Sequence, residues 1–168
     1  EQWRHYTRGY LFFAALATPL VISVHSVVSW DFALGIVPGW HTTIFAPYFV
    51  AGAIHSGLAM VLTLMIPLRR LFKYEDIITI EVLQNVAKTI VLTGLIVGLA
   101  YGTEYFIAWY SHNTIEMEQF RWRALGDYRW GFYFMVVCNT LITLLFLFKK
   151  VRTTIAWLFI ISLNVNFG

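Results

Sequence analysis

Residues 9–29 read GYLFFAALATPLVISVHSVVS, a run of 21 residues that indicates the fold class. It contains no Lys, Arg, Asp or Glu, and at a helical rise of about 1.5 Å per residue it can cross a hydrocarbon core of about 30 Å. Similar stretches occupy about residues 45–67, 88–110 and 129–148, and a fifth at 153–168 is too short to finish crossing. The sequence therefore predicts one all-α domain over residues 1–168, a polytopic transmembrane helical bundle with about five spans.

The composition excludes a water-soluble globule. Of 168 residues, 59% are hydrophobic, 18% aromatic and only 12% charged, where soluble domains carry about 25% charge. A single cysteine, Cys138, cannot form an intrachain disulfide, an iron–sulfur site or a thiolate zinc site alone. We therefore predict no metal site in this chain, so that any redox metal belongs to a partner. Because the chain begins with Glu1 and stops at Gly168 inside an apolar run, we also interpret it as a fragment of a longer protein.

The basic residues indicate topology. The net charge is +3, but the Lys and Arg residues lie in short clusters between apolar stretches, which does not favour a nucleic-acid partner. Alternating spans place nine of them on the side of the N-terminus: Arg4, Arg8, Arg69, Arg70, Lys73, Lys88, Lys149, Lys150 and Arg152. Only Arg121, Arg123 and Arg129 lie on the other side. The positive-inside rule predicts a multi-pass protein of the bacterial inner (cytoplasmic) membrane with a cytoplasmic N-terminus.

Three ionisable side chains interrupt the apolar spans: His25, His55 and Glu104. Insertion of such a group near the bilayer centre costs about 2.5–3.5 kcal/mol of free energy, so each should have either an interaction partner or a functional role. Helical rise places His25 roughly 7 Å and Glu104 roughly 8 Å below the outer surface, and His55 roughly 14 Å below it. We therefore expect His25 and Glu104 to share a depth. His55 and Glu104 are candidates for a proton path, although His55 could simply bond to a neighbouring helix.

The connection between the first two spans adds Trp30, Asp31, Trp40 and His41 at the outer face, with no basic residue. Imidazole titrates near neutrality and a carboxylate can orient it or accept its proton. Quinol oxidation needs this combination, because a quinol loses two protons with its two electrons while its tail stays in lipid. We predict His25 and Asp31 as catalytic residues, although His25 could instead be an interhelical hydrogen-bond partner and Asp31 a chain-end cap. The candidate quinol-binding residues are His25, Asp31, Trp30, Trp40, His41 and Glu104, with Trp30 or Trp40 as walls of the pocket.

Other polar and small residues favour structural interpretations. Gly94, Gly98 and Gly102 repeat every fourth residue and predict a stripe for close helix packing. Thr79 is a possible N-cap for a short interfacial helix that leads into the third span. The outer loop charges could dock a peripheral subunit, but loop charges are usually solvated. These charges are Arg121, Arg123, Asp127 and Arg129.

A family resemblance is carried by VHSVVSWDF at residues 24–32, PGWHTTIF at 38–45 and YFVAGAI at 48–54. These runs strongly resemble the NrfD/PsrC-type membrane subunits, and most closely those of bacterial alternative complex III. FIAWYS at 106–111 and FKKVR at 148–152 fit as well, so the resemblance covers nearly the whole chain. It implies an all-helical fold of about ten spans in two four-helix bundles with peripheral helices, of which this chain is roughly half.

The resemblance also implies a function. It suggests a subunit of a quinol:electron-acceptor oxidoreductase that oxidises menaquinol or ubiquinol near the outer face, and it leaves open whether electron transfer is coupled to proton translocation. It implies that His25, Asp31 and His41 are the matching quinol-site positions, whereas Glu104 is added from depth alone. The implied partners are an iron–sulfur peripheral subunit, a homologous membrane subunit and c-type cytochrome subunits. Iron–sulfur clusters and c-type haems would then belong to partner subunits only.

Two alternatives remain open at this point. One is the homologous membrane subunit of the same complex, acting as a non-catalytic anchor or proton-conducting subunit. The other is a b-type haem cytochrome with His25 and His55 as axial ligands. The estimated depths of these two histidines differ by roughly 7 Å, which disfavours the haem. A Soret band from the purified protein would support it.

Overall fold

The computed structural model describes residues 2–37 and 44–168, and this part of the chain is helical without a strand. Four helices are long and apolar enough to cross a membrane, and a shorter apolar helix follows them. This confirms the predicted all-α polytopic bundle. The helices are α1 (Gln2–Ala33), α2 (Phe45–Leu71), α3 (Ile80–Tyr110), α4 (Thr114–Leu125), α5 (Arg129–Val136), α6 (Lys149–Thr153) and α7 (Ile155–Phe167).

The fourth span, Arg129–Leu147, is not a regular α-helix. After α5 the chain forms a π turn at Val137–Leu141 and then a 3₁₀ turn at Thr143–Leu147. The amide of Ile142 donates to the carbonyl of Val137 over 2.8 Å, which is the hydrogen bond that defines the wide turn. Such turns inside helices occur frequently at functional sites.

The chain divides into two compact units, Glu1–Val50 and Ala51–Gly168. The first unit contains α1 and the beginning of α2. The second contains the remaining helices and a hydrophobic core in which side chains of α2, α3, α7 and the 3₁₀ turn are buried together. The core side chains with no exposed surface are Ala59, Leu62, Leu83, Ala87, Ile90, Phe146 and Leu158.

Glycines allow the fourth span to lie close to α3. A Cβ atom at Gly94 would meet Thr143 Oγ1 at 2.7 Å, and one at Gly98 would meet Thr140 Cγ2 at 2.6 Å. Both distances are too short for a real side chain, so the predicted close packing is confirmed at these two positions. At Gly102 no described atom lies within 4 Å of the added Cβ. The close approach therefore ends before Gly102.

Candidate functional site

In the first unit, His25 lies in the last third of α1 and is partly exposed. Its Nδ1 atom lies 2.8 Å from the carbonyl oxygen of Val21, one helical turn earlier. A carbonyl only accepts, so Nδ1 carries the hydrogen and donates it. The neutral ring then has a lone pair on Nε2, to which no described residue of this unit bonds. His25 can therefore accept a hydrogen bond from a hydroxyl.

One aromatic ring contacts this histidine, and two further rings pack against that ring within the same unit. The ring centre of Phe49 lies 6.2 Å from that of His25. Phe49 is also stacked on Phe45 at 6.1 Å and on Phe32 at 6.4 Å. Flat aromatic surfaces of this kind can hold another planar ring at comparable separations. The cluster of Phe32, Phe45 and Phe49, which we call the phenyl cluster, is therefore a suitable wall for a ring beside His25.

Sequence reasoning named tryptophans as pocket walls and did not name the phenyl cluster. A signal was present, because Phe32 follows His25 by seven residues, which is about two helical turns and places both on one face of α1. Phe45 and Phe49 are four residues apart and also share a face. Trp30 is 54% exposed, and the structure gives it no ring contact within the described ranges. Its role as a wall remains a prediction.

Asp31 lies in the last turn of α1 and is exposed. It follows His25 by six residues, so it lies about 9 Å further along the helix and about 120° around it. A carboxylate is unfavourable at a helix C-terminus, because the helix dipole is negative there. Its position is therefore not explained by local helix stability. Trp40 and His41, the other predicted members of this site, lie outside the described residues.

In the second unit, His55 is buried, with 2% of its surface exposed. Its Nδ1 atom lies 2.9 Å from the hydroxyl oxygen of Thr93 on α3. That hydroxyl donates to the backbone, with Thr89 O and Ile90 O both at 3.1 Å, so it accepts from Nδ1–H. His55 therefore links α2 to α3, which is the structural role that the sequence left open. Its buried Nε2 atom has no hydrogen-bond partner in the described part of the chain.

The irregular fourth span lies against the same region. The Cβ position of Gly94 would lie 3.1 Å from His55 Cε1 and 3.1 Å from the carbonyl oxygen of Asn139, which belongs to the π turn. The Thr143 hydroxyl points back to that turn, with Asn139 O at 3.1 Å and Thr140 O at 2.8 Å. His55, Gly94 and the π turn thus form a polar centre inside the second unit.

Glu104, also in the second unit, is buried with 5% of its side chain exposed, and its Oε2 atom lies 3.9 Å from Nη1 of Arg123. Arg123 comes from α4, is 40% exposed, and lies over the rings of Phe120 at 5.6 Å and Phe132 at 5.8 Å. Cation–π contacts and the ion pair thus hold this arginine over the carboxylate. The expectation that this loop charge is simply solvated is wrong for Arg123. That Glu104 shares a site with His25 remains a prediction from the sequence.

The family model for "Polysulphide reductase, NrfD" matches residues 3–168. No protein of curated function matches the sequence. Membrane subunits of the NrfD family are associated with quinones and typically pair with iron–sulfur subunits. The chain belongs to the polysulphide reductase NrfD family, and it is accordingly a multi-pass membrane subunit of a quinone-linked redox complex.

Proposed function

We propose that this chain oxidises quinol as a membrane subunit of a complex of the alternative complex III type, with the quinol ring bound beside His25. The observation that carries the proposal is the pairing of an imidazole acceptor with a flat aromatic wall. His25 donates through Nδ1 to Val21 O at 2.8 Å, so Nε2 can accept, and Phe49 lies 6.2 Å from the imidazole. A quinol needs both features, one for its hydroxyl and one for its ring.

The surroundings of His25 suit the rest of a quinol molecule. α1 carries exposed apolar side chains before the histidine, including Leu20 and Val24, so an isoprenoid tail could remain in lipid along this helix. Asp31, at the end of α1, and His41, ten residues later in the sequence, are proposed to accept protons further towards the outer surface. Trp30 and Trp40 are proposed as additional walls, and Glu104 as a further hydrogen-bonding group.

In the proposed reaction, His25 Nε2 takes a proton from a quinol hydroxyl as the quinol is oxidised. The two electrons pass to the iron–sulfur partner subunit and from there to c-type haems in other subunits. The two protons leave to the outer face through His25 and Asp31. By the positive-inside rule, the end of the bundle that carries Arg69, Arg70 and Lys150 faces the cytoplasm of the bacterial inner membrane.

Binding of a quinone analogue to the intact complex tests this proposal. We expect a density map of the complex with a tightly bound quinolone inhibitor to show the inhibitor ring against Phe49, with a polar atom within hydrogen-bond distance of His25 Nε2. We also expect H25A to weaken inhibitor binding at least tenfold. His5, on the same helix, is the matched control, and H5A should bind the inhibitor as the wild type does. An inhibitor ring placed elsewhere, with unchanged affinity in H25A, would contradict the proposal and favour the non-catalytic anchor.

A second proposed function is proton passage through the second unit, in which His55 and Glu104 take part. The Nε2 atom of His55 supports it, because this atom is buried without a hydrogen-bond partner among the described residues, and an ionisable group inside a membrane span usually has a function. In proteoliposomes, H55Q should lower the number of protons moved per electron while quinol oxidation continues. An unchanged ratio would leave His55 with only its helix-linking role.

The polar centre is less suited to ligating haem. His55 uses Nδ1 for Thr93, and its Cε1 edge packs against Gly94 with no space for a Cβ atom. A porphyrin plane would need that space on the open side of the ring. The packing in the second unit therefore favours a role of His55 in proton transfer over a role as a haem ligand.

A further inference from the structure

A groove of about 920 Å³ lies in the second unit, between the end of α2 and the beginning of α7. One wall is apolar, with Ile66, Ile155 and Phe159. The rim is charged and carries Arg69 and Arg70. This combination is separate from the residues of the proposed quinol site and from the polar centre.

The arginines of the rim are available to a ligand. Arg69 is held in place because its Nε donates to the carbonyl oxygen of Ile78 over 2.7 Å, which leaves its terminal nitrogens for another partner. Arg70 is exposed. Glu75 also lines the groove, but in the part of the chain that the structure describes it forms a salt bridge with neither arginine. The rim therefore has a net positive charge and unused guanidinium donors.

The position of the groove indicates where its ligand comes from. α2 is a candidate membrane span that ends at Leu71, so Arg69 and Arg70 lie at the level expected for lipid headgroups. The apolar wall continues along α2 and α7 in the direction of the hydrocarbon core. A basic rim above an apolar cleft between spans matches an anionic headgroup with its acyl chains, and basic pockets of this kind bind anionic lipids.

We propose that this groove binds an anionic phospholipid of the surrounding leaflet. The guanidinium groups of Arg69 and Arg70 hold the lipid phosphate, and an acyl chain lies against Ile66, Ile155 and Phe159. Arg152, three residues before Ile155 in the sequence, adds positive charge to the same end of the bundle. The lipid would join α2 to α7 at this end.

Native mass spectrometry of the intact delipidated complex tests the proposal, with phosphatidylglycerol or phosphatidylcholine added back. We expect the wild type to retain phosphatidylglycerol in preference to phosphatidylcholine. R70Q should weaken retention about fivefold, which corresponds to about 1 kcal/mol for one arginine near a lipid surface. K149Q is the matched control, because it removes one exposed positive charge at this end of the bundle without lining the groove. It should leave retention unchanged.

A second variant tests the apolar part of the groove while its charge is kept. A156F places a ring in the groove and should exclude phosphatidylglycerol, with thermal unfolding of the complex used to confirm that the protein is folded. Equal retention of the two lipids, or equal retention by R70Q and the wild type, would overturn the proposal. Displacement of the lipid by soluble glycerol 3-phosphate at similar concentration would assign the site to a free phosphate instead. Protein density filling the groove in the intact complex would also overturn it.

Discussion

His25 and His55 are both histidines on apolar helices, and they use their rings differently. His25 bonds to Val21 on its own helix, whereas His55 bonds to Thr93 on another helix. His25 is partly exposed and adjoins the phenyl cluster, while His55 is buried against Gly94. Removal of His25 therefore leaves the hydrogen bonds between helices intact, whereas removal of His55 takes away a hydrogen bond between α2 and α3. Substitutions at the two positions can therefore separate effects on quinol turnover from effects on stability.

The largest expected effect is on catalysis. H25A should lower quinol turnover about a hundredfold, because it removes the proposed proton acceptor, and general base catalysis typically contributes about 10² to 10⁴. Its thermal unfolding should match that of the wild type. H5A, at the other end of α1, should retain full turnover. Steady-state assays of the reconstituted complex measure the turnover of both variants. Unchanged turnover in H25A would favour a non-catalytic membrane subunit.

The next effect is on packing in the second unit. G94A should lower the free energy of unfolding by about 2 kcal/mol, because the new Cβ would meet Thr143 Oγ1 at 2.7 Å and His55 Cε1 at 3.1 Å. G102A is the matched control, since no described atom lies within 4 Å of its added Cβ. Equilibrium unfolding in detergent measures both variants. Equal stability of G94A and G102A would show that α3 and the fourth span are not closely packed at Gly94.

A smaller effect concerns the ion pair between α3 and α4. R123Q leaves the buried carboxylate of Glu104 without its partner and should cost about 1 kcal/mol, a value reduced by the 40% exposure of the arginine. R121Q removes an exposed charge from the same helix and should be nearly neutral. Chemical denaturation compares the two. If both variants have the stability of the wild type, the pair does not anchor α4.

The smallest effect is the bond between His55 and Thr93. A double-mutant cycle of H55L and T93V should give a coupling energy of about 0.6 kcal/mol, the average for interhelical hydrogen bonds inside membranes. The same cycle with H55L and T89V should give a coupling energy near zero, because the Thr89 hydroxyl donates to the carbonyl oxygen of Asn85 on its own helix. Coupling near zero in the first cycle would remove the helix-linking role of His55.

Hydropathy was sufficient to predict the spans, because an apolar stretch of about twenty residues has few alternatives to a membrane helix. The N-cap at Thr79 could also be predicted from the sequence, because capping depends on residues close in sequence. Its side chain accepts from the amide of Val82 at 3.4 Å, and α3 then runs without a break to Tyr110. The predicted short interfacial helix is the first part of α3.

Other features depend on contacts between residues distant in sequence. The pairing of Arg123 with Glu104 requires α4 to fold back over α3, and no local sequence pattern predicts this arrangement. The break at Val137–Leu147 has no Pro or Gly to mark it, and it lies where Thr140 and Thr143 approach Gly98 and Gly94. This irregular backbone coincides with tertiary packing contacts, which hydropathy does not report. Hydropathy alone therefore predicted a single uninterrupted span.

The π turn also has a consequence for the alignment of the fourth span. Its hydrogen bond encloses one residue more than an ordinary α turn, so the turn acts as an insertion that the helix has absorbed. Rewinding of these residues as a regular α-helix, with the extra residue kept, would rotate every later side chain by about 100° around the axis. Thr143 and Phe146 would then turn away from α3. The wide turn therefore preserves the rotational register of every residue that follows it.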